Sequence, residues 1–225
     1  MTLNEIIYII KEAIKANSDD LSFDYPGELI AAKIGNIRAL LVKQRYQDGR
    51  KEIPDVFYQK ICLTLALVNR NSTVCIGSIL KSTDVLPELL TVANRKAVNI
   101  IQQGNDIPLK LNYIQLNRLY YTGFNSLVKN QLYVAIDKGN YLYLKGDNKF
   151  FKLITALEVY GVLLDPVEAE NYTCAGVTAP CDIYTEPYPA PEDMIAEIVQ
   201  IVLKEMLPTI NIPEDQENNA DESNR

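Results

Sequence analysis

The sequence predicts an α+β protein: a helical bundle, made of N-terminal helices plus a C-terminal helix, with an inserted antiparallel β-rich domain. Two observations carry this. Apolar residues recur at spacings of three and four over residues 2–46 and again over 191–207, the period of a helix with one buried face. Between them, residues 130–166 break into apolar and aromatic runs at 131–136, 141–144 and 150–164. Asx and Gly turns at 137–140 and 146–148 divide these runs in the manner of an antiparallel meander. The expected division is therefore 1–60 for the first helical part, 61–183 for the β-rich insertion, 184–208 for a connector and the closing helix, and 209–225 for an acidic tail.

The first helix is announced by Thr2 and Glu5. The Thr2 hydroxyl can accept from a first-turn amide while the Glu5 side chain reaches back to the cap. Leu3, Ile6, Ile7, Ile10 and Ile14 make its apolar stripe, and Asn17, Ser18, Asp19 and Asp20 end it. The paired carboxylates Asp19 and Asp20 could do acid–base work, but beside Ser and Asn after a helix they read as turn chemistry. The second helix starts near Asp24, with Pro26 in its first turn, and runs to Asp48 and Gly49. Its polar positions carry Lys33, Arg38, Lys43 and Arg45, with Arg50 and Lys51 just beyond. Such a basic segment is either a solvated face or a contact surface for an acidic neighbour or for phosphates.

Pro54 and Asp55 open a short helix, residues 61–68 alternate as a strand, 69–72 turn, and 73–82 form a second strand. Over 83–120 the sequence speaks less: 97–101 is extended, 104–106 turns, and 113–121 contains one irregular helical turn. Tyr113, Tyr120, Tyr121 and Phe124 lie near Arg118, a grouping that either stacks on bases or packs the rim of a small sheet. After the meander, 167–171 is a solvated turn or short helix. The prolines of 184–191 enforce an extended connector. Glu192 and Asp193 place acid at the positive end of the last helix, and Pro208 is expected to stop it. That helix is apolar on more than one face, so it is buried in its own bundle or packs on a neighbour as well.

Composition narrows the chemistry. The chain has 225 residues, 48% of them apolar, and its net charge of −7 argues against nucleic-acid binding over the whole surface. No apolar run reaches the ~20 residues of a membrane span, and the acidic N-terminus does not read as an export signal. There is no histidine at all, which removes the commonest general base and the commonest metal ligand together. No glycine-rich phosphate loop or nucleophile elbow replaces it, so the expectation is a non-catalytic protein without cofactor or metal. The four cysteines are expected to stay reduced. Cys62 and Cys75 read as small buried hydrophobes, and Cys174 and Cys181 as flanks of an ordinary loop rather than a disulfide or metal clip.

Several stretches together resemble a known family. They are Asn4-Glu-Ile-Ile7, Gly35-Asn-Ile-Arg-Ala-Leu40 leading to Ile53-Pro-Asp55, and Asn140-Tyr-Leu-Tyr-Leu-Lys145. Val159-Tyr-Gly-Val-Leu-Leu-Asp-Pro166 and Tyr188-Pro-Ala-Pro-Glu-Asp-Met-Ile195 continue the order. The chain resembles the virion proteins of crAss-like tailed bacteriophages that form the neck. The resemblance implies a helical adaptor core elaborated by a β domain. It also implies a ring of about twelve identical subunits joining the portal to the tail around the DNA channel. Its implied partners are further copies of itself, the portal, neighbouring tail or ring proteins and channel DNA, but no membrane. Its implied location is the virion neck, after assembly in the bacterial cytoplasm. Lys33, Arg38, Lys43 and Arg45 are then candidates for subunit or DNA-channel contact. Ile210, Ile212 and Pro213 are candidates for docking to the portal or a neighbour. The alternative from another class is a non-catalytic binding module whose β domain holds a nucleic acid or peptide, with Arg118, Lys145, Lys149 and the tyrosines carrying it.

Overall fold

A computed structural model describes residues 1–17, 25–49, 51–68, 79–103, 111–119, 121–122, 131–146, 154–172 and 184–210. Asp19, Asp20, Arg50, Cys75, Tyr120, Phe124, Lys149, Cys174, Cys181, Ile212 and Pro213, and the expected turns at 69–72 and 104–106, lie outside the described residues.

The protein is mixed α+β, with three long helices and a curled sheet. Helix α1 spans Leu3–Asn17 and buries all five members of its stripe. Its start is the reciprocal cap that the sequence implied: the Thr2 amide donates to Glu5 Oε2 at 2.9 Å and the Glu5 amide to Thr2 Oγ1 at 3.2 Å. Helix α2 covers Gly27–Tyr46 behind Pro26, and Gly49 just beyond it takes the left-handed φ of 63° that glycine adopts without strain. Helix α4, Glu192–Ile210, packs against both. The chain runs through Pro208 instead of stopping there. So near the end of a helix the missing amide forfeits one hydrogen bond, which does not by itself unwind the last turn.

The strands are β1 (Gln59–Leu67), β2 (Ile79–Ser82), β3 (Thr91–Val92), β4 (Arg95–Lys96), β5 (Val98–Gln103) and β6 (Leu111–Tyr113), then β7 (Leu132–Ile136), β8 (Leu142–Lys145) and β9 (Ala156–Gly161). A four-residue helix α3, Leu116–Leu119, follows β6. Among the described residues seven strands form one sheet in the order β5-β9-β1-β2-β8-β7-β6, and β3 and β4 form a separate hairpin. This corrects the meander. The β7–β8 hairpin is present, but β9 leaves it and pairs antiparallel with β1 and β5. Nor is the sheet wholly antiparallel, because β6 runs parallel to β7. Turns and alternation are local and reveal a hairpin, whereas the neighbour of β9 lies far away in sequence and leaves no local mark. The edge strands β5 and β6 approach one another, and a bulge between Val98 and Ile101 helps the sheet curl.

Strict alternation fills the inside of the curl. Ile61, Leu63 and Leu65 of β1 meet Leu157 and Val159 of β9, Leu142 and Leu144 of β8, and Leu132 and Val134 of β7. A second core gathers α1, α2 and α4. Two extended segments serve both: Leu89 and Leu163 face the sheet core, while their chain neighbours Leu90 and Val162 face the helical one. The Leu90 amide donates to the Val162 carbonyl at 2.8 Å, which locks the two segments together.

Cys62 is also a correction. It falls on the alternate face to Leu63, is half-buried, and is disulfide-bonded, its partner lying outside the described residues. It is therefore neither reduced nor a small buried hydrophobe.

Candidate functional site

The four basic residues of α2 meet three different fates. Ile34 and Val42 are buried one turn either side of Arg38, so Arg38 sits on the apolar stripe itself and is 0% exposed. Its guanidinium donates from Nε to the Pro189 carbonyl at 2.9 Å, from Nη1 to the Leu163 carbonyl at 2.9 Å and from Nη2 to the Phe57 carbonyl at 3.3 Å. These acceptors mark three crossings of the chain between helices and sheet: into β1, out of β9, and into α4. The planar fork reaches all three at once, which an ammonium cannot do. The cation lies 5.8 Å from the centre of the Phe57 ring. Burial pulls its pKa below the usual value, with the charges of Tyr188 and Asp165 acting in opposition. A guanidinium starts so high that it stays protonated regardless. Arg38 is thus a structural tie and not part of any surface, which corrects its place among the contact candidates.

Arg45 and Lys33 point outward but turn to their own chain. Arg45 Nη1 lies 2.9 Å from Asp193 Oδ2, and its Nη2 pairs with Glu197. Lys33 Nζ lies 2.9 Å from Glu205 Oε2. These pairs set α2 and α4 antiparallel, and the hydrogen bonds to Asp193 and Glu197 raise the Arg45 pKa while lowering that of Asp193. Lys43 is exposed and has no ion pair among the described residues.

The other expected ligands are scattered or engaged. Tyr121 is 79% exposed, Tyr113 is exposed, and Arg118 stands on the surface of the short α3. Lys145 is committed internally, donating to the carbonyls of Leu119 and Thr122 at 3.0 Å each. Ile210 ends α4. No helix in the described residues is long and apolar enough to cross a membrane, and no group of three His, Cys, Asp or Glu residues there could hold a metal.

Surface-exposed apolar residues on the helices form a feature that counting charges missed. On α1, Tyr8 (65% exposed) and Ile9 stand outward and, with Met1, Asn4 and Glu5, line an open groove of about 430 Å³. On α2, Leu29 and Leu40 (51% exposed) lie off the buried stripe, on a line that runs through Ala32 and Asn36 to Lys43. The signal was in the sequence, since α2 carries leucines on two sides. The expected surplus was on α4 instead, yet α4 uses its extra apolar residues at home: Val199, Ile201 and Leu203 pack against the helical core.

An uncommitted cation and two apolar stripes on neighbouring helices are the surface of a protein that meets other proteins. Comparison with known sequences agrees. Residues 5–224 match the family described as phage tail ring protein 2. The chain belongs to that family. It is 31% identical over 224 residues to ring protein 2 of Bacteroides phage crAss001, an alignment covering 98% of this chain and 96% of the relative. Membership makes the chain a structural ring protein of a crAss-like phage tail, whose role implies association with copies of itself and with neighbouring tail proteins.

Proposed function

We propose that the chain is a neck-ring subunit, repeated in a closed ring of about twelve copies between portal and tail around the DNA channel. The match to a ring-protein family over nearly the whole chain carries this reading. On it, residues 1–60 and 184–208 are the helical adaptor part, 61–183 the β-rich insertion, and 209–225 a docking tail through Ile210, Ile212 and Pro213. Its partners are the portal and the adjoining tail or ring proteins, and its place is the head–tail junction after assembly in the host cytoplasm. The exposed Lys43, with Lys33 and Arg45 beside it, supplies the basic surface toward a neighbour or channel DNA. On this reading the role is structural and not catalytic. Two leucines outside a filled helical core fit a subunit that is completed by another protein.

The test is the mass of the purified protein, alone and mixed with its portal. A species of about twelve copies in either sample is the expected result. A monomer in both, at concentrations well above micromolar, would overturn the ring and turn attention to ligands of the β block.

A further inference from the structure

We infer that neighbouring copies of this chain join through two different helices: the α2 stripe centred on Leu40 of one copy seats in the α1 groove of the next. The inference rests on the ring reading and adds the contact that closes it. A cyclic ring is held by a heterologous interface, so each subunit must carry two unlike, complementary patches. The two exposed apolar patches of the helices meet that requirement. One is a shallow, open groove lined by Met1, Tyr8 and Ile9, partly aromatic. The other is a ridge made by Leu29 and Leu40, with the small Ala32 between them. A ridge of branched aliphatic side chains fits a groove, and neither patch matches itself.

Charge fixes the direction. Glu12 follows Ile9 by three residues and Lys43 follows Leu40 by three, so each charge stands about 4.5 Å along its helix from its apolar anchor. With Leu40 seated against Tyr8 and Ile9, the Lys43 ammonium comes opposite the Glu12 carboxylate, provided the two helices run in the same direction. Among the described residues Glu12 meets a single cation, Lys15, in an exposed contact at 3.6 Å that it can share or exchange. Arg45 and Lys33 do not compete, because each is already paired with α4.

The experiment uses the full chain with a photoreactive diazirine amino acid at position 40. It is assembled from an equal mixture of 15N-labelled and unlabelled protein, alone and with the portal and adjoining tail proteins. After irradiation, the cross-linked peptides are mapped by mass spectrometry. The expected adduct joins position 40 to the peptide holding Tyr8 and Ile9, with mixed isotope labelling that proves two chains. A multi-copy ring whose adducts fall elsewhere on a second copy, or on another protein, would overturn this contact and leave the ring reading standing. No multi-copy species in any mixture would overturn both. As a second measurement, Leu40→Lys and Tyr8→Ala should each raise the concentration for half-assembly at least tenfold with an unchanged thermal melt. Combining Lys43→Glu with Glu12→Lys should restore part of what either change loses alone. Half-assembly that moves less than twofold in both apolar variants would sink the proposal.

Discussion

Arg38 and Arg45 lie seven residues apart on α2, and each ties that helix to the rest of the chain by opposite means. Arg38 sits in the dry junction between helices and sheet, where among the described residues it serves three neutral carbonyls and no carboxylate. Arg45 sits on the wet rim between α2 and α4 and serves two carboxylates. Formal charge would rank the rim first, since it joins opposite ions. Burial reverses the order. Water competes for every contact at the rim, while in the junction each carbonyl deprived of its donor keeps its full desolvation cost. The contrast can be broken by substitution at either site, and the junction should respond more.

The largest effect is expected from Arg38→Met. Methionine fills much of the volume and relieves the burial of a charge, which alone would favour the variant. Against that stand three buried carbonyls left without donors, at roughly 1–3 kcal/mol each. The losses win, and we expect a net destabilisation of at least about 3 kcal/mol in urea unfolding. Arg38→Lys should recover less than half, because one ammonium cannot span three segments. A cost under about 1 kcal/mol for Arg38→Met would mean that the junction is held by packing alone.

Next comes Gly161, where β9 leaves the sheet for the junction. A Cβ built there would stand 2.5 Å from Leu89 Cδ2, and Leu89 is itself buried, so the two must shift to avoid each other. Gly161→Ala should therefore cost about 1–3 kcal/mol by overpacking, seen as a lower urea midpoint with an unchanged slope. Combining it with Leu89→Ala, which makes room, should return part of the loss. Strict additivity would show that the two sites do not touch.

How much of this could be read beforehand follows from the range of each signal. The stripe of α1 and its cap at Thr2 and Glu5 are local, and they stand in the fold as the sequence implies. The inward face of β1 is equally local. Residue type alone places Arg38 among surface cations, but its helical neighbours Ile34 and Val42 put it on the buried side. The same wheel would have set Leu29 and Leu40 outside. For Cys62, alternation with Leu63 could have argued against burial, but nothing in its spacing named a disulfide. The route of β9 to β1 and the three carbonyls around Arg38 depend on residues brought together only by the finished fold. No window on the sequence contains them.

A third test probes whether the junction is fully satisfied. The Tyr188 hydroxyl is buried with no hydrogen-bond partner among the described residues, and burial raises its pKa above that of an ordinary tyrosine. Tyr188→Phe removes the orphaned group and keeps the ring. It should be neutral or stabilise by up to about 1 kcal/mol, the opposite sign to a usual core change. A loss above about 1 kcal/mol would reveal that the hydroxyl is served by a buried water.

The smallest effect belongs to the rim. Arg45→Ala should cost well under 1 kcal/mol at neutral pH, and raising salt to about 0.5 M should shrink even that. Its pH dependence has a definite sign. The hydrogen bond from Arg45 holds the Asp193 carboxyl below the usual carboxylate range, so the folded state favours the ionised form. Such a group stabilises fully above its unfolded pKa and loses its contribution as pH falls through the lowered folded value. The difference in melting temperature between the parent protein and Arg45→Ala should therefore be constant from pH 7 to about 5 and fade below about 4. Arg38→Met should show no such fading, because its acceptors are carbonyls that do not titrate. Parallel acid profiles for the two variants would erase the distinction between rim and junction. A fading rim beside a pH-independent junction would fix it as one between charge pairing in water and donor satisfaction out of it.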